Sequence, residues 1–368
     1  MTKSIAEYYA FEYLPKCEID DSFLSSWRGL AYPCRVIQCI FLPIQLLTGY
    51  FILKKTPAVM KTMKQSLLVF HVCCTLQDLH FLTLSTSYIF LPSYAFFSVG
   101  FFAWLEFPPL LQVLPMFFVL FCEEFFRSYP PLNHDNSGTW SATIYLFESR
   151  ASINPDNIFR FTRDRSRLIY YLGTLSLNCM IYGLFIFKIP EDQEAAKLDI
   201  LKFIPCPTRE FFTEPVFVPS SQEWSNFMLM YLVPIFIGMT LTQILFFFSI
   251  SIYYLFVRKL SVSISPQTRK LQQWFFVGIL IQVLIPILIQ AVPYAVITVM
   301  MKHDKLTQSM SSLYMTVFGM YGGVGSVAIL FVHKGYRIIV FRFFSCKTSA
   351  TSIEPYRKTS ENTGRIQH

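Results

Sequence analysis

Lys54-Lys55-Thr56-Pro57-Ala58-Val59-Met60-Lys61-Thr62-Met63-Lys64 carries four lysines and no acid, and an apolar run lies on each side of it. Upstream, residues 36–53 contain no charge; downstream, residues 65–92 contain a single carboxylate, Asp78. A helix rises about 1.5 Å per residue, so about 20 apolar residues cross a hydrocarbon layer roughly 30 Å thick. Two such helices joined by a short basic segment form a hairpin whose turn faces the cytoplasm, because short cytoplasmic loops collect lysine and arginine. Pro57 suits the turn, since it interrupts helical hydrogen bonding and pushes Thr56 out of the α region. Lys54 and Lys55 then mark the inner end of the first span.

The same pattern recurs along all 368 residues, which are 53% hydrophobic, 17% aromatic and only 15% charged. Mean hydropathy is +0.44. A soluble domain is nearer a quarter charged, so the composition describes a polytopic, all-α membrane protein. The net charge of +8 is not the footprint of a nucleic-acid partner, because the basic residues sit in short loops beside apolar spans. There they meet anionic membrane lipid. Residues 1–28 are polar and acidic and lack the basic-then-apolar pattern of a signal peptide, which leaves targeting to the first span.

Seven spans are predicted, at about 30–53, 65–90, 98–121, 167–189, 226–256, 271–300 and 309–332. The third has two readings. Either it runs 98–121 with Glu106 in its outer half, or it runs from 106, is interrupted by the polar, proline-containing segment 122–140, and continues over 141–147. Loops predicted inside (54–64, 150–167, 257–270, 333–368) hold 20 Lys and Arg, and those predicted outside (1–28, 188–225, 301–308) hold 9. That asymmetry puts the N-terminus, residues 1–29, outside and the C-terminus inside. Beyond the seventh span, Tyr336, Ile339, Val340, Phe343 and Phe344 share one helical face beside Lys334, Arg337 and Arg342. This predicts an amphipathic helix over 335–345 on the inner leaflet, with Cys346 after it as a palmitoylation candidate. Residues 346–368 read as a disordered cytoplasmic tail.

Seven spans alone give a fold analogy. Particular stretches add to it: Gly49 to Pro57 with Met60 and Lys64, Leu76-Gln77-Asp78-Leu79, Leu146-Phe147-Glu148-Ser149-Arg150, Pro190-Glu191-Asp192-Gln193-Glu194, Pro205-Cys206, Pro293-Tyr294 and Val332-His333-Lys334-Gly335-Tyr336-Arg337. In combination, over about residues 30–345, they resemble the nematode chemosensory serpentine receptors of class h. The resemblance implies a multi-pass receptor, not an enzyme, in the plasma membrane of sensory neurons (possible cilium location included). It would bind an odorant-like small molecule and couple to a heterotrimeric G protein, without a cofactor. The sequence departs from that pattern at Ser149, at Gly335 and at Tyr321-Gly322-Gly323. The family's third helix is unbroken, so 122–140 stands out as nineteen extra residues, in the manner of a retained intron or a faulty gene model.

Candidate functional residues follow from depth. A small, largely apolar ligand is expected between the outer halves of the third, fifth, sixth and seventh spans, against Trp104, Glu106, Gln112, Met230, Gln290, Tyr294 and Tyr314. Glu148 and Arg150 at the inner end of the third span form either a switch pair or an ordinary helix-end pair. Arg258 and Lys259 join Lys54 and Lys55 as the basic inner surface offered to the G protein. Asp78 is a mid-membrane carboxylate, which is expensive and so faces polar partners in the bundle. It could serve as a cation- or proton-linked switch, or as a structural hydrogen-bond acceptor. Cys17 and Cys206 lie in outer segments, where oxidation is permitted, and are expected to pair. Cys34, Cys39, Cys73, Cys74 and Cys179 are expected to be buried thiols. No metal site is expected, since neither His71 nor His80 has a partner at i, i+4. Gly319, Gly322, Gly323 and Gly325 read as a close-packing face rather than a phosphate loop. A channel or transporter subunit is the rival class, and paired broken helices of the transporter kind are not evident.

Overall fold

The computed structural model describes residues 4–18, 20–56, 64–112, 189–253, 287–332 and 334–344, with single positions between 169 and 180 and between 278 and 285. Among these, three helices are long and apolar enough to cross a membrane: Trp27–Lys55, Gln222–Ile250 and Gln308–Val332. Helix α1 is Trp27–Lys55, and Ser26 caps it by accepting from the Gly29 amide. Pro33 and Pro43 lie inside it. It ends at Thr56, which is extended as the following proline requires.

Helix α2, Lys64–Leu79, continues through a π turn, His80–Leu84, and stops there. The expected second span, 65–90, is therefore too long. Residues 87–90 form strand β1, Ser87–Phe90, which pairs antiparallel with β2, Ala95–Ser98. Tyr88 and Phe90 are buried while Ser87 and Ile89 are half-buried, the alternation of a strand rather than of a helix. The third span does not begin at 98 either. A single helical turn, Phe101–Trp104, is followed by Glu106 at φ 56°, and helix resumes at residue 109, after Pro108 and at Pro109. Proline at a helix start loses nothing, because the first amides have no partner there. The continuation of this span, the segment 122–140 and residues 141–147 lie outside the described residues.

The outer loop folds over the hairpin. Helix α3, Gln193–Phe203, is capped by the Asp192 carboxylate on the amides of Glu194 and Ala195. Residue Phe217 bridges Phe96 on the edge of β2. The fifth span is helical from Gln222, through a π turn at Met228–Leu232, into α4, Val233–Ile252. The sixth is described over a π turn, Ile287–Ala291, and α5, Val292–Lys302. The seventh is two pieces, α6 (Gln308–Phe318) and α7 (Tyr321–Val332), separated by a turn at Gly319–Met320. Helix α8, Lys334–Phe344, follows at once.

Burial divides into separate cores. An outer core joins Leu30, Cys34 and Leu82 to Tyr88, Phe97 and Ile200. An inner core joins Phe51, Ile52 and Cys74 to Tyr321, Leu330 and Tyr336. In α8, Tyr336 and Val340 are buried in that inner core, and Ile338 and Phe341 are exposed. Among the expected buried thiols, Cys34, Cys73 and Cys74 are buried but Cys39 is exposed, because it points off the packed face of α1. Cys179 lies outside the described residues.

Candidate functional site

The outer cap is built first. Cys17 and Cys206 are joined in a disulfide with Cα atoms 5.5 Å apart, 189 residues apart in sequence. Beside it, Tyr13 donates to the Pro207 carbonyl at 2.8 Å and Tyr8 donates to that of Pro205 at 3.2 Å. Phe212 sits 4.7 Å from the Tyr13 ring and 4.9 Å from that of Tyr9. Burial raises the Tyr13 phenol above its ordinary pKa. Tyr88 donates to the Ser25 carbonyl and lies 3.0 Å from the Thr208 hydroxyl, tying hairpin, N-terminal arm and outer loop together. Nearby, the Asp20 carboxylate accepts from the Ser25 hydroxyl and from the Ser22 amide, which lowers its pKa.

Under the hairpin tip the structure brings together Met230, Tyr294 and Tyr314, packed around Leu229, Ile297 and Met301. Tyr294 donates to the Leu229 carbonyl at 2.7 Å, fastening the sixth span to the fifth. Tyr94 belongs to the same cluster. It stands in the hairpin turn at φ 56°, and burial, then the neighbouring phenols of Tyr294 and Tyr314, raise its pKa. Gln290 is buried one turn inward of Tyr294. Trp104 and Glu106 do not join this group. Trp104 is 76% exposed and stacks on Phe101, because the late start of the third span leaves both residues in the outer loop. Gln112 is buried and donates from its side-chain amide to the Phe107 carbonyl at 2.6 Å, which ties the first turn of the new helix to the loop before it.

At mid-depth Asp78 is fully buried. Its carboxylate accepts from the amides of Gly322 (2.7 Å) and Gly323 (2.5 Å) and from the Gln45 side chain (2.8 Å). These two amides are the second and third of α7, groups that have no partner within a helix. Asp78 therefore caps α7 from a different helix. His71 continues the network, with Nε2 2.8 Å from the Gln45 carbonyl and Nδ1 3.3 Å from the Ser326 hydroxyl. The glycines permit the approach. A Cβ on Gly322 would stand 2.9 Å from the Asp78 carboxyl carbon, and one on Gly319 would stand 2.5 Å from Leu82 Cδ2. Sequence marked Asp78 and the glycines separately; that one caps the helix of the other depends on backbone amides, which leave no trace in residue type. Tyr94 carried no signal either, since it sat inside a predicted loop.

Lys54 and Lys55 are exposed at the end of α1. Glu148, Arg150, Arg258, Lys259 and Cys346 lie outside the described residues.

Comparison with known proteins places the chain. It matches the family described as "Serpentine type 7TM GPCR chemoreceptor Srh" over residues 25–125 and 136–346. The break between the two matched stretches, 126–135, falls inside the segment 122–140. It is also similar to "Serpentine receptor class H-72" of Caenorhabditis elegans, 35% identical over 358 residues that cover 97% of each chain.

Proposed function

The chain belongs to the Srh family of serpentine seven-transmembrane chemoreceptors, and from that premise we propose that it detects a small, neutral, largely apolar molecule and signals through a heterotrimeric G protein. As a member of that family it is a multi-pass plasma-membrane receptor and not an enzyme. The observation that supports the ligand reading is the cluster of Met230, Tyr294 and Tyr314 with Tyr94, where tyrosines pack among Leu229, Ile297 and Met301. Such a lining suits a ligand with an apolar body and one hydrogen-bond acceptor. Ligand binding favours the packing to which it binds better, and so shifts the receptor between two states.

The N-terminus is outside in this reading. The Cys17–Cys206 disulfide supports that side for the N-terminal arm and the loop after the fourth span, because disulfides persist in oxidising compartments. The cytoplasmic face then presents Lys54, Lys55, Arg258 and Lys259 to the G protein, with Glu148 and Arg150 as the coupling pair. Residues 335–345 lie on the inner leaflet, with Cys346 as the acylation site, and the sensory cilium is the proposed address.

The test is expression with a G-protein calcium readout against a panel of neutral ketones, esters and ethers, alongside amines and carboxylic acids of matched size. Responses confined to neutral compounds, and lost in Tyr294→Leu or Tyr314→Leu, support the reading. A response to charged compounds alone would sink it. Transcripts across the codons for residues 121–141 are sequenced first, since an interrupted third helix would leave the receptor unable to couple.

A further inference from the structure

The two cores meet the seventh span on opposite sides of its break. Outward of Gly319, α6 is tied to the cap: Ser309 Oγ lies 2.7 Å from Ser25 Oγ, Gln308 donates to the Ile89 carbonyl at 3.0 Å, and Met315 packs on the outer core. Inward of Met320, α7 is tied to the lower body: Tyr321, Ile329 and Leu330 pack with Phe51 and Cys74, and Tyr336 of α8 lies 2.9 Å from the Thr56 hydroxyl. Between the bodies runs a layer of buried polar groups, Gln38, Gln45, His71 and Asp78.

We propose that Gly319–Met320 is a hinge between these two bodies, and that the Asp78 cap on α7 sets its resting angle. The reason lies in what the cap replaces. A continuous helix would satisfy the amides of residues 322 and 323 with carbonyls one turn earlier. Here Asp78 satisfies them from α2, so the span gains nothing by closing the break. Removing the carboxylate leaves those amides to seek carbonyls of the preceding turn, which changes the bend. Helix bends of this kind arise where a side chain inserts into the backbone ladder.

Gln38 is the second part of the device. It is buried, and among the described residues neither its amide nitrogen nor its oxygen has a partner. Its place on α1 is set by its neighbours: Cys34, one turn outward, lies 3.7 Å from Thr316, and Phe41, three residues inward, is the ring that a Cβ on Gly323 would strike. Gln38 therefore stands level with the break. An amide kept there without a partner carries an uncompensated desolvation penalty. It gains a partner when a change of bend turns the backbone of residues 319–320 toward α1.

The test is electron–electron distance measurement on the full chain in lipid nanodiscs, without ligand. Spin labels carried by unnatural residues replace Leu313 on α6 and, as references, Leu53 on α1 or Leu76 on α2, all exposed positions. Residue 313 is seven residues from the hinge, about 10 Å along the helix, so a 20° change of bend moves it about 3 Å. Expected is a new population in Asp78→Leu, which removes both acceptor oxygens, displaced by about 3 Å in at least one Leu313 pair, while pairs from Phe331 on α7 stay unchanged. Adding Gln38→Leu removes that population. Should Asp78→Leu fail to fold, Asp78→Ser, whose hydroxyl is too short to reach both amides, takes its place. Identical distributions in wild type and variant, or equal shifts at residues 313 and 331, overturn the hinge. Survival of the new population in Gln38→Leu overturns the role of Gln38.

Discussion

Three glycines of α7 offer a graded test of how tightly the seventh span is packed. Replacing glycine by alanine inside a helix favours folding by about 1 kcal/mol from backbone entropy alone. At Gly325 a Cβ meets nothing within 4 Å among the described residues, so that gain stands unopposed. At Gly323 a Cβ runs into the Phe41 ring, which is a side chain and can turn, at the overpacking cost of about 1–3 kcal/mol. At Gly322 it runs into the backbone carbonyl of Cys74, which cannot turn, and stands 2.9 Å from the Asp78 carboxyl carbon. Separation of the helices there also weakens two capping bonds, each worth about 0.6–1.7 kcal/mol within a membrane. The net expectation is a gain of about 1 kcal/mol for Gly325→Ala, a loss of about 1 for Gly323→Ala and a loss of about 3 for Gly322→Ala. The assay is the thermal midpoint in mild detergent, followed by a dye that reacts with the buried thiols as they open. At roughly 2 °C per kcal/mol the variants spread over about 8 °C. A Gly322→Ala protein that melts with or above Gly325→Ala would refute the close approach of α7 to α2.

The disulfide predicts non-additivity: Cys17→Ser, Cys206→Ser and the double variant should melt at one lowered temperature, by calorimetry in detergent. Closure of a 189-residue loop is worth about 5 kcal/mol for a free chain, and less here because the spans between stay in the membrane. Tyr88→Phe removes the donor to the Ser25 carbonyl and should cost about 1–2 kcal/mol, read as faster cleavage of the N-terminal arm by added protease. The Asp20 carboxyl is held below its ordinary pKa by Ser25 and Ser22, so it contributes stability above about pH 4 and loses it as pH falls through the lower folded value. Asp20→Asn should therefore melt below the wild type at neutral pH and converge with it as pH falls below the folded value, which flattens the acid limb of the melting profile.

Hydropathy made the spans legible because burial in lipid selects composition over twenty residues at a time. The same measure was blind where apolar sequence serves another purpose. Residues 87–98 are as apolar as a helix end, yet they pair as a hairpin, and the second and third apolar stretches on either side give no period long enough to tell strand from helix. Trp104 and Glu106 were misplaced for that reason alone. The cysteine pair was legible because only two thiols stood in polar outer segments. The partners of Asp78 were not, since two of them are main-chain amides on a helix 244 and 245 residues away.

The bond between Cys17 and Cys206 also works as a parity check on the chain. Its two sulfurs can meet only if the polypeptide crosses the bilayer an even number of times between them. The proposed topology, with four spans between the two cysteines, meets that condition. A nascent chain that skipped a crossing there would strand one thiol in the reducing cytosol. It would carry that error as a free sulfhydryl for the secretory pathway to detect.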